Sequence, residues 1–175
     1  MTIERVGLLK FAGNDVTVIG PDILVGQIAP EFTAVTQDWS TFNGLQDTKG
    51  KVRIISSLLS LNTSVCDRET RRFNQEATEL DERIVILTVS MDLPFTIKNW
   101  CAAAGIDRVI TLSDHHNAEF GQIYGVLLKE QRFFRRAVFV VDQNDMVVYS
   151  AYMPVLGDEP NYPEVLDAAR HALMV

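Results

Sequence analysis

The segment Ile84-Val-Ile-Leu-Thr-Val-Ser90 is almost continuously apolar. A run without polar alternation predicts a β-strand that is covered on both of its faces. Two further runs of the β type, Val52–Leu59 and Val109–Leu112, lie before and after it in the chain. Helical patterns fill the intervening segments, so strands alternate with helices. This alternation predicts a mostly parallel central sheet with helices on its faces.

The outer parts of the chain complete the predicted order of elements. Gly13 and the polar pair after it precede Val16–Ile19, a pattern that predicts an N-terminal β-hairpin. Ala137–Val141 and Met146–Tyr149 are separated by turn residues, which predicts two strands at an antiparallel edge of the sheet. Helices are predicted at four places: Ser64 to about Leu80, Pro94 to Gly105, Asn117 to Tyr124, and Pro163 towards Val175.

Among the common small folds, a thioredoxin-like α/β sandwich fits this order best. It has a central mixed β-sheet flanked by helices. A flavodoxin-like fold is the second choice, but no strand is followed by a glycine-rich phosphate loop.

Length and composition exclude several classes of protein. The 175 residues suggest one domain spanning 1–175, and 47% hydrophobic residues are too many for an intrinsically disordered chain. The net charge of −7 supplies no basic stripe for nucleic acid, and no apolar run is long enough to span a membrane. Glu4 and Arg5 interrupt the N-terminal apolar residues, unlike a signal or transit peptide, so we expect a cytoplasmic protein.

The chain contains two cysteines, Cys66 and Cys101. Two are too few for a disulfide-rich scaffold or, by themselves, for a structural zinc site, but they can form one redox pair. Thr63 and Ser64 are both good N-caps, so Cys66 is predicted in the first turn of a helix. Unpaired N–H groups and the helix dipole stabilise a thiolate there. A small buried hydrophobe fits the same position, so both interpretations stay open.

The helix after Cys66 has a recognisable apolar face. Its members recur every three or four residues: Cys66, Thr70, Phe73, Ala77 and Leu80. We expect this stripe to face the core. Charged and amide side chains occupy the other faces: Arg68, Glu69, Arg71, Arg72, Gln75 and Glu76. Because Glu69 stands three residues after Cys66, the chain has no Cys-x-x-Cys motif.

The second cysteine lies on the next predicted helix, beside Trp100 and a run of alanines. Taken alone, Cys101 is typical of a packing residue. Helices that follow successive strands can lie on opposite faces of a sheet, which would keep the two sulfurs apart in the reduced fold.

The stretch Thr63-Ser-Val-Cys66, with Arg72-Phe-Asn74 after it, resembles the peroxidatic site of the thiol peroxidases, which are atypical two-cysteine peroxiredoxins. The resemblance extends from Gly13 to the final helix. Further matching segments occur in the same order: Val89–Phe95, Trp100-Cys101, Val109–Ser113 and Arg136-Ala-Val138.

The resemblance implies a role for four residues. Cys66 is the peroxidatic cysteine, which attacks the peroxide and becomes a sulfenic acid. Cys101 is the resolving cysteine, which forms an intramolecular disulfide with it. Thr63 hydrogen-bonds the thiolate and the peroxide, and Arg136 activates both. These roles suit the chemistry, because attack on an O–O bond needs a thiolate and donors for the leaving oxygen.

The resemblance also implies the partners of the protein. It suggests a cytoplasmic homodimer of the peroxiredoxin fold, without metal or organic cofactor. Hydrogen peroxide and organic hydroperoxides would be its substrates, and thioredoxin would reduce its disulfide.

One departure from the family pattern concerns Leu59, which stands where the family has a proline. Leucine keeps the apolar cover of the sulfur but restores a backbone N–H and frees φ. The alternative function is therefore an impaired or non-catalytic redox sensor or binding protein on the same fold.

Three other features are interpreted without a catalytic role. Arg135 is an ordinary charge at the start of a strand, and Trp39 is a core or interface residue. His115-His116 forms a solvated turn rather than a metal site, because adjacent side chains rarely point at one ion.

Overall fold

A computed structural model describes residues 1–175, in which ten strands and four helices follow one another. The strands are β1 (Glu4–Phe11), β2 (Asn14–Ile19), β3 (Thr33–Thr36), β4 (Thr41–Asn43), β5 (Val52–Ser57), β6 (Ile84–Ser90), β7 (Ile110–Ser113), β8 (Leu127–Leu128), β9 (Ala137–Val141) and β10 (Val147–Tyr152). The helices are α1 (Ser64–Ala77), α2 (Pro94–Ala104), α3 (Glu119–Ile123) and α4 (Tyr162–Ala172), and a 3-10 turn covers Gln46–Thr48. No helix is both long enough and apolar enough to cross a bilayer.

The central sheet contains seven strands in the order β10-β9-β5-β6-β7-β3-β4. The β5–β6 and β6–β7 pairs are parallel, with Ile54 opposite Ile86 and Thr88 opposite Thr111. All other neighbours in this sheet are antiparallel. The central mixed sheet is therefore confirmed, whereas the expectation of a mostly parallel sheet is wrong. β6 lies in the middle and is almost wholly buried, as its continuous apolar run predicts.

Helices α1, α2 and α4 cover one face of this sheet. There Ile54, Ile86 and Val140 pack in one cluster with Phe73 of α1 and Val165 of α4. Leu87 and Phe139 point to the opposite face, where they share a cluster with Phe120 and Tyr124 in and just after α3. Alternate residues of each strand thus serve two cores.

The position of α2 follows from one contact. Cys101 of α2 contacts Thr111, which pairs with Thr88 and points to the same face of the sheet as Ile86. The two helices that carry cysteines therefore lie on the same face, not on the opposite faces that the sequence allowed.

A second, three-stranded sheet has the order β1-β2-β8. The N-terminal hairpin of β1 and β2 is confirmed, with its turn at Ala12 and Gly13, both at positive φ. The sequence indicates short extended pieces around Phe32–Val35, where β3 forms, but it predicts no strand at β4 or β8. Helix α2 begins at Pro94 and is capped by Gly105 at φ +68°, as predicted.

Candidate active site

Cys66 lies in the first turn of α1, immediately after the loop that leaves β5. Thr63 is the N-cap residue, and its Oγ1 accepts a hydrogen bond from the backbone N–H of Cys66 at 3.3 Å. This confirms the prediction that a cap at Thr63 or Ser64 places Cys66 at the start of the helix. The side chain of Cys66 is fully buried. Its sulfur therefore faces the positive end of the helix dipole inside the protein.

Arg136 lies directly before β9 and reaches the sulfur of Cys66. Its Nη2 donates to Cys66 Sγ at 3.3 Å, and its Nη1 donates to Glu69 Oε2 at 2.5 Å. The residue is 1% exposed, and its Nε is buried without a hydrogen-bond partner. Burial lowers the pKa of Arg136, but the charges of Glu69 and Cys66 more than offset this and raise it above its usual range. The guanidinium is thus a fixed positive charge held 3.3 Å from the sulfur of Cys66.

Glu69 is a site residue that the sequence interpretation misplaced. The pattern put it away from the core, but its side chain is fully buried and forms an ion pair with Arg136. Its other oxygen accepts a hydrogen bond from Ser56 Oγ at 2.5 Å. Burial raises the pKa of Glu69, while Arg136 and Ser56 oppose that rise. The available signal was its spacing, since a residue three positions after Cys66 lies beside it on a helix.

Cys101 lies in the last turns of α2 and is 5% exposed. Its Sγ is 3.3 Å from Thr111 Oγ1, its hydrogen-bonding partner on β7. Burial raises the pKa of the Cys101 thiol, and the contact with Thr111 only partly opposes this. The structure therefore favours a protonated thiol at this position.

The two cysteines share one small apolar cluster but do not form a disulfide. The cluster also contains Leu58, Leu61 and Ile97, all buried. The structure therefore brings Cys66, Thr63 and Arg136 together directly and places Cys101 in the same cluster on the neighbouring helix.

Leu59 packs at the edge of this cluster and is partly buried. The apolar cover expected of it is therefore present. Its backbone N–H makes no hydrogen bond within the chain.

The interpretation of Arg135 as an ordinary strand-end charge is wrong. The side chain is 5% exposed, its Nε donates to the carbonyl of Gly125 at 2.9 Å, and it pairs with Asp22. Its guanidinium also lies 4.0 Å from the centre of the Tyr152 ring. Arg135 thus holds three separate segments together and points away from Cys66.

The turn predicted at the histidine pair is present. His115 and His116 lie in a turn after β7, and no group of three or more potential ligands capable of holding a metal ion occurs in the chain. Trp39 is half-exposed and packs edge-on against Phe95 and His115, so it is a surface residue rather than a core residue.

Comparison with solved structures shows the fold. A peroxiredoxin-like protein from Aquifex aeolicus superposes with a TM-score of 0.85 at 35% identity, covering 98% of each chain. A thiol peroxidase from Chromobacterium violaceum superposes with a TM-score of 0.81 at 20% identity, covering 95% of this chain and 97% of that one. These neighbours confirm the thioredoxin-like fold of the peroxiredoxin type.

Comparison of sequences shows the family. A family model described as Redoxin matches residues 24–166. The thiol peroxidase of Oceanobacillus iheyensis is 53% identical over 158 residues, covering 90% of this chain and 95% of that protein. The thiol peroxidase of Bacillus subtilis is 46% identical over 162 residues, covering 93% and 96%. The chain therefore belongs to the Redoxin family and, within it, to the thiol peroxidases.

Proposed function

We propose that this protein is a thiol-dependent peroxidase that reduces hydrogen peroxide and organic hydroperoxides to water or alcohol. The observation that carries the proposal is the contact between Arg136 Nη2 and Cys66 Sγ at 3.3 Å, at the N-terminus of a helix. A sulfur held in this way is an activated nucleophile.

In the first step, the thiolate of Cys66 attacks one oxygen of the peroxide. A sulfur–oxygen bond forms and the O–O bond breaks. The leaving oxygen takes a proton from solvent, which balances the proton that Cys66 released on ionising, and departs as water or alcohol. Cys66 becomes a sulfenic acid. The Nε of Arg136 is buried and has no hydrogen-bond partner in the chain. Its N–H can therefore donate a hydrogen bond to the leaving oxygen and stabilise the negative charge that develops there.

Thr63 has two tasks in this proposal. In the resting structure it caps α1 and donates its hydroxyl hydrogen to the carbonyl of Ser60 at 2.9 Å. Rotation of the hydroxyl would transfer that hydrogen bond from Ser60 to the peroxide.

In the second step, the sulfur of Cys101 attacks the sulfenic sulfur of Cys66. An S–S bond forms, the S–O bond breaks, and hydroxide leaves with the thiol proton as water. Cys101 does not compete for peroxide in the first step, because burial keeps it as a thiol. A dithiol of the thioredoxin type then reduces the disulfide by exchange and is itself oxidised.

The same proposal includes the partners implied by the resemblance. The protein acts as a cytoplasmic homodimer, uses thioredoxin as its reductant and needs no metal or organic cofactor. A redox sensor without turnover, the alternative raised by Leu59, is not favoured. Leu59 keeps the apolar cover of the cluster around Cys66. The two relatives described above, which cover 90% and 93% of this chain, are both thiol peroxidases.

The test follows peroxide consumption by the reduced protein with hydrogen peroxide or cumene hydroperoxide. We expect Cys66→Ser to abolish consumption. The matched variant Cys101→Ser should complete one turnover and leave a sulfenic acid that dimedone can trap. If Cys66→Ser consumes peroxide as fast as the parent, the assignment of the nucleophile is wrong.

A further inference from the structure

The loop Leu59–Asn62 joins β5 to α1 and determines where α1 begins. The last bond of the incoming strand runs from the N–H of Leu58 to the carbonyl of Val89 at 2.9 Å. The next backbone bond, from the N–H of Thr63 to the carbonyl of Ser60, lies within the loop itself. The backbone thus does not attach this loop to the rest of the fold.

Asp92 supplies that attachment. Its Oδ1 accepts a hydrogen bond from Ser60 Oγ at 2.7 Å, and its Oδ2 accepts one from the N–H of Leu61 at 2.8 Å. These are the polar contacts that join residues 59–62 to another part of the fold. Hydrogen bonds to a carboxylate are about twice as strong as neutral ones.

Asp92 is itself fixed by the ends of two sheet strands. Ser90 Oγ, at the end of β6, donates to Asp92 Oδ2 at 3.0 Å. Ser113 Oγ, at the end of β7, donates to the backbone carbonyl of Asp92 at 2.5 Å. The carboxylate is therefore a rigid point on the sheet, and the loop before α1 is attached to it.

We propose that Asp92 is a positioning residue for the reaction of Cys66 with peroxide. It holds the loop so that Thr63 caps α1 and the sulfur of Cys66 lies against Arg136. It acts through the loop and does not touch the reacting atoms. The inference rests on the proposed peroxidase function and gives a role to a residue other than Cys66, Cys101, Thr63 and Arg136.

The proposal separates the two chemical steps. Attack on peroxide needs a fixed geometry, and a misplacement of about 1 Å can cost about 100-fold in rate. Disulfide formation needs movement, because each sulfur contacts a different partner in the reduced fold, Arg136 for Cys66 and Thr111 for Cys101, and at least one sulfur must leave its partner to form the bond. Loss of Asp92 should therefore slow the first step and leave the second step unchanged or faster.

The experiment measures sulfenic acid formation and disulfide formation separately in the reduced full chain, with hydrogen peroxide in excess. We expect Asp92→Ala to slow the first step by about 10- to 100-fold. Asp92→Asn should be intermediate, because its amide oxygen still accepts from Ser60 but its NH₂ cannot accept from the N–H of Leu61. Asp38→Asn, which breaks an exposed ion pair with Lys98 on α2, is the matched control and should keep both rates.

Ser60→Ala tests whether the loop contact carries the effect. It removes one of the two bonds to Asp92, together with the bond from the N–H of Asn62 to Ser60 Oγ at 3.2 Å within the loop. It should therefore slow the first step without slowing the second, and the slowing should be much smaller in the Asp92→Ala background than in the parent. Fully additive losses would overturn the proposal. So would an unchanged first step in Asp92→Ala, or equal slowing of both steps, which indicates a merely structural role.

Cys66→Ser in the same assay distinguishes a failure of the proposed peroxidase function from a failure of the inference about Asp92. If it still reacts, the proposed function fails. If it is inert while Asp92→Ala reacts like the parent, only the inference about Asp92 fails.

Discussion

The substitution Arg136→Lys tests whether the guanidinium of Arg136 activates Cys66, as proposed. The guanidinium of Arg136 uses two nitrogens at once, one on Glu69 and one on Cys66, and has a third without a partner. A lysine keeps the positive charge but offers a single nitrogen at the end of its chain. That nitrogen will pair with the buried carboxylate of Glu69 and leave the sulfur of Cys66 without its donor.

The size of the effect follows from the lost contact. A hydrogen bond to a charged group contributes about 1.5–3 kcal/mol, and about 1.36 kcal/mol corresponds to a tenfold change in rate. We therefore expect Arg136→Lys to form the sulfenic acid roughly 10- to 150-fold more slowly than the parent. Arg136→Met is less informative, because it leaves Glu69 buried and unpaired at a cost of about 3–5 kcal/mol in stability.

The assay is a single turnover in the Cys101→Ser background, with urea unfolding of each variant alongside. Arg135→Lys is the matched control, because Arg135 is also buried but contacts Gly125, Asp22 and Tyr152 instead of Cys66. It should lose stability and keep the rate. If Arg136→Lys reacts as fast as this control, the forked geometry of the guanidinium does not activate the thiol and the reasoning fails.

Three further predictions concern stability. Glu69→Ala leaves Arg136 buried without its ion pair and should lower the free energy of unfolding in urea by about 3–5 kcal/mol. An unchanged urea midpoint would show that the buried pair does not contribute to stability in this way. Burial raises the pKa of Asp114 to about 7, against the backbone N–H bonds of Gly121 and Phe120. The folded state therefore binds a proton that the unfolded chain releases, so stability should fall as pH rises from about 4 through about 7. In thermal melts at several pH values, Asp114→Asn should lack this fall in stability between about pH 4 and pH 7. If the stability of the variant falls with pH in parallel with that of the parent, Asp114 is not the group responsible. Gly125 has a φ of +65°, and a Cβ added there would lie 2.0 Å from the carbonyl oxygen of Pro21. Gly125→Ala should therefore lower the free energy of unfolding by about 1–3 kcal/mol, which a lower melting temperature would show.

The long elements of the fold were predictable, since their signals are local. β6 is a continuous apolar run and α2 has a proline at its start and a glycine at its end, so each is recognisable from its own residues. The strand β8 was not. β8 has two residues and exists because it pairs with Val18 and Ile19 of a distant strand.

The site was predicted in part for the same reason. The N-cap at Thr63 is a local signal, and it placed Cys66 correctly. Glu69 was missed because polarity along a helix predicts exposure unless a partner is known, and its partner Arg136 is 67 positions away in the chain. Likewise, which face of the sheet α2 covers depends on packing between elements and not on the sequence of α2.

The burial of both thiols limits which reagents can reach them in the reduced fold. Cys66 is 0% and Cys101 5% exposed, and Cys101 also lines an open pocket beside Thr111. A bulky thiol reagent therefore meets Cys66 only when the chain opens locally. In the proposed reaction a hydroperoxide must reach the same buried sulfur, so the rate at which the start of α1 opens sets an upper limit on the rate of its attack.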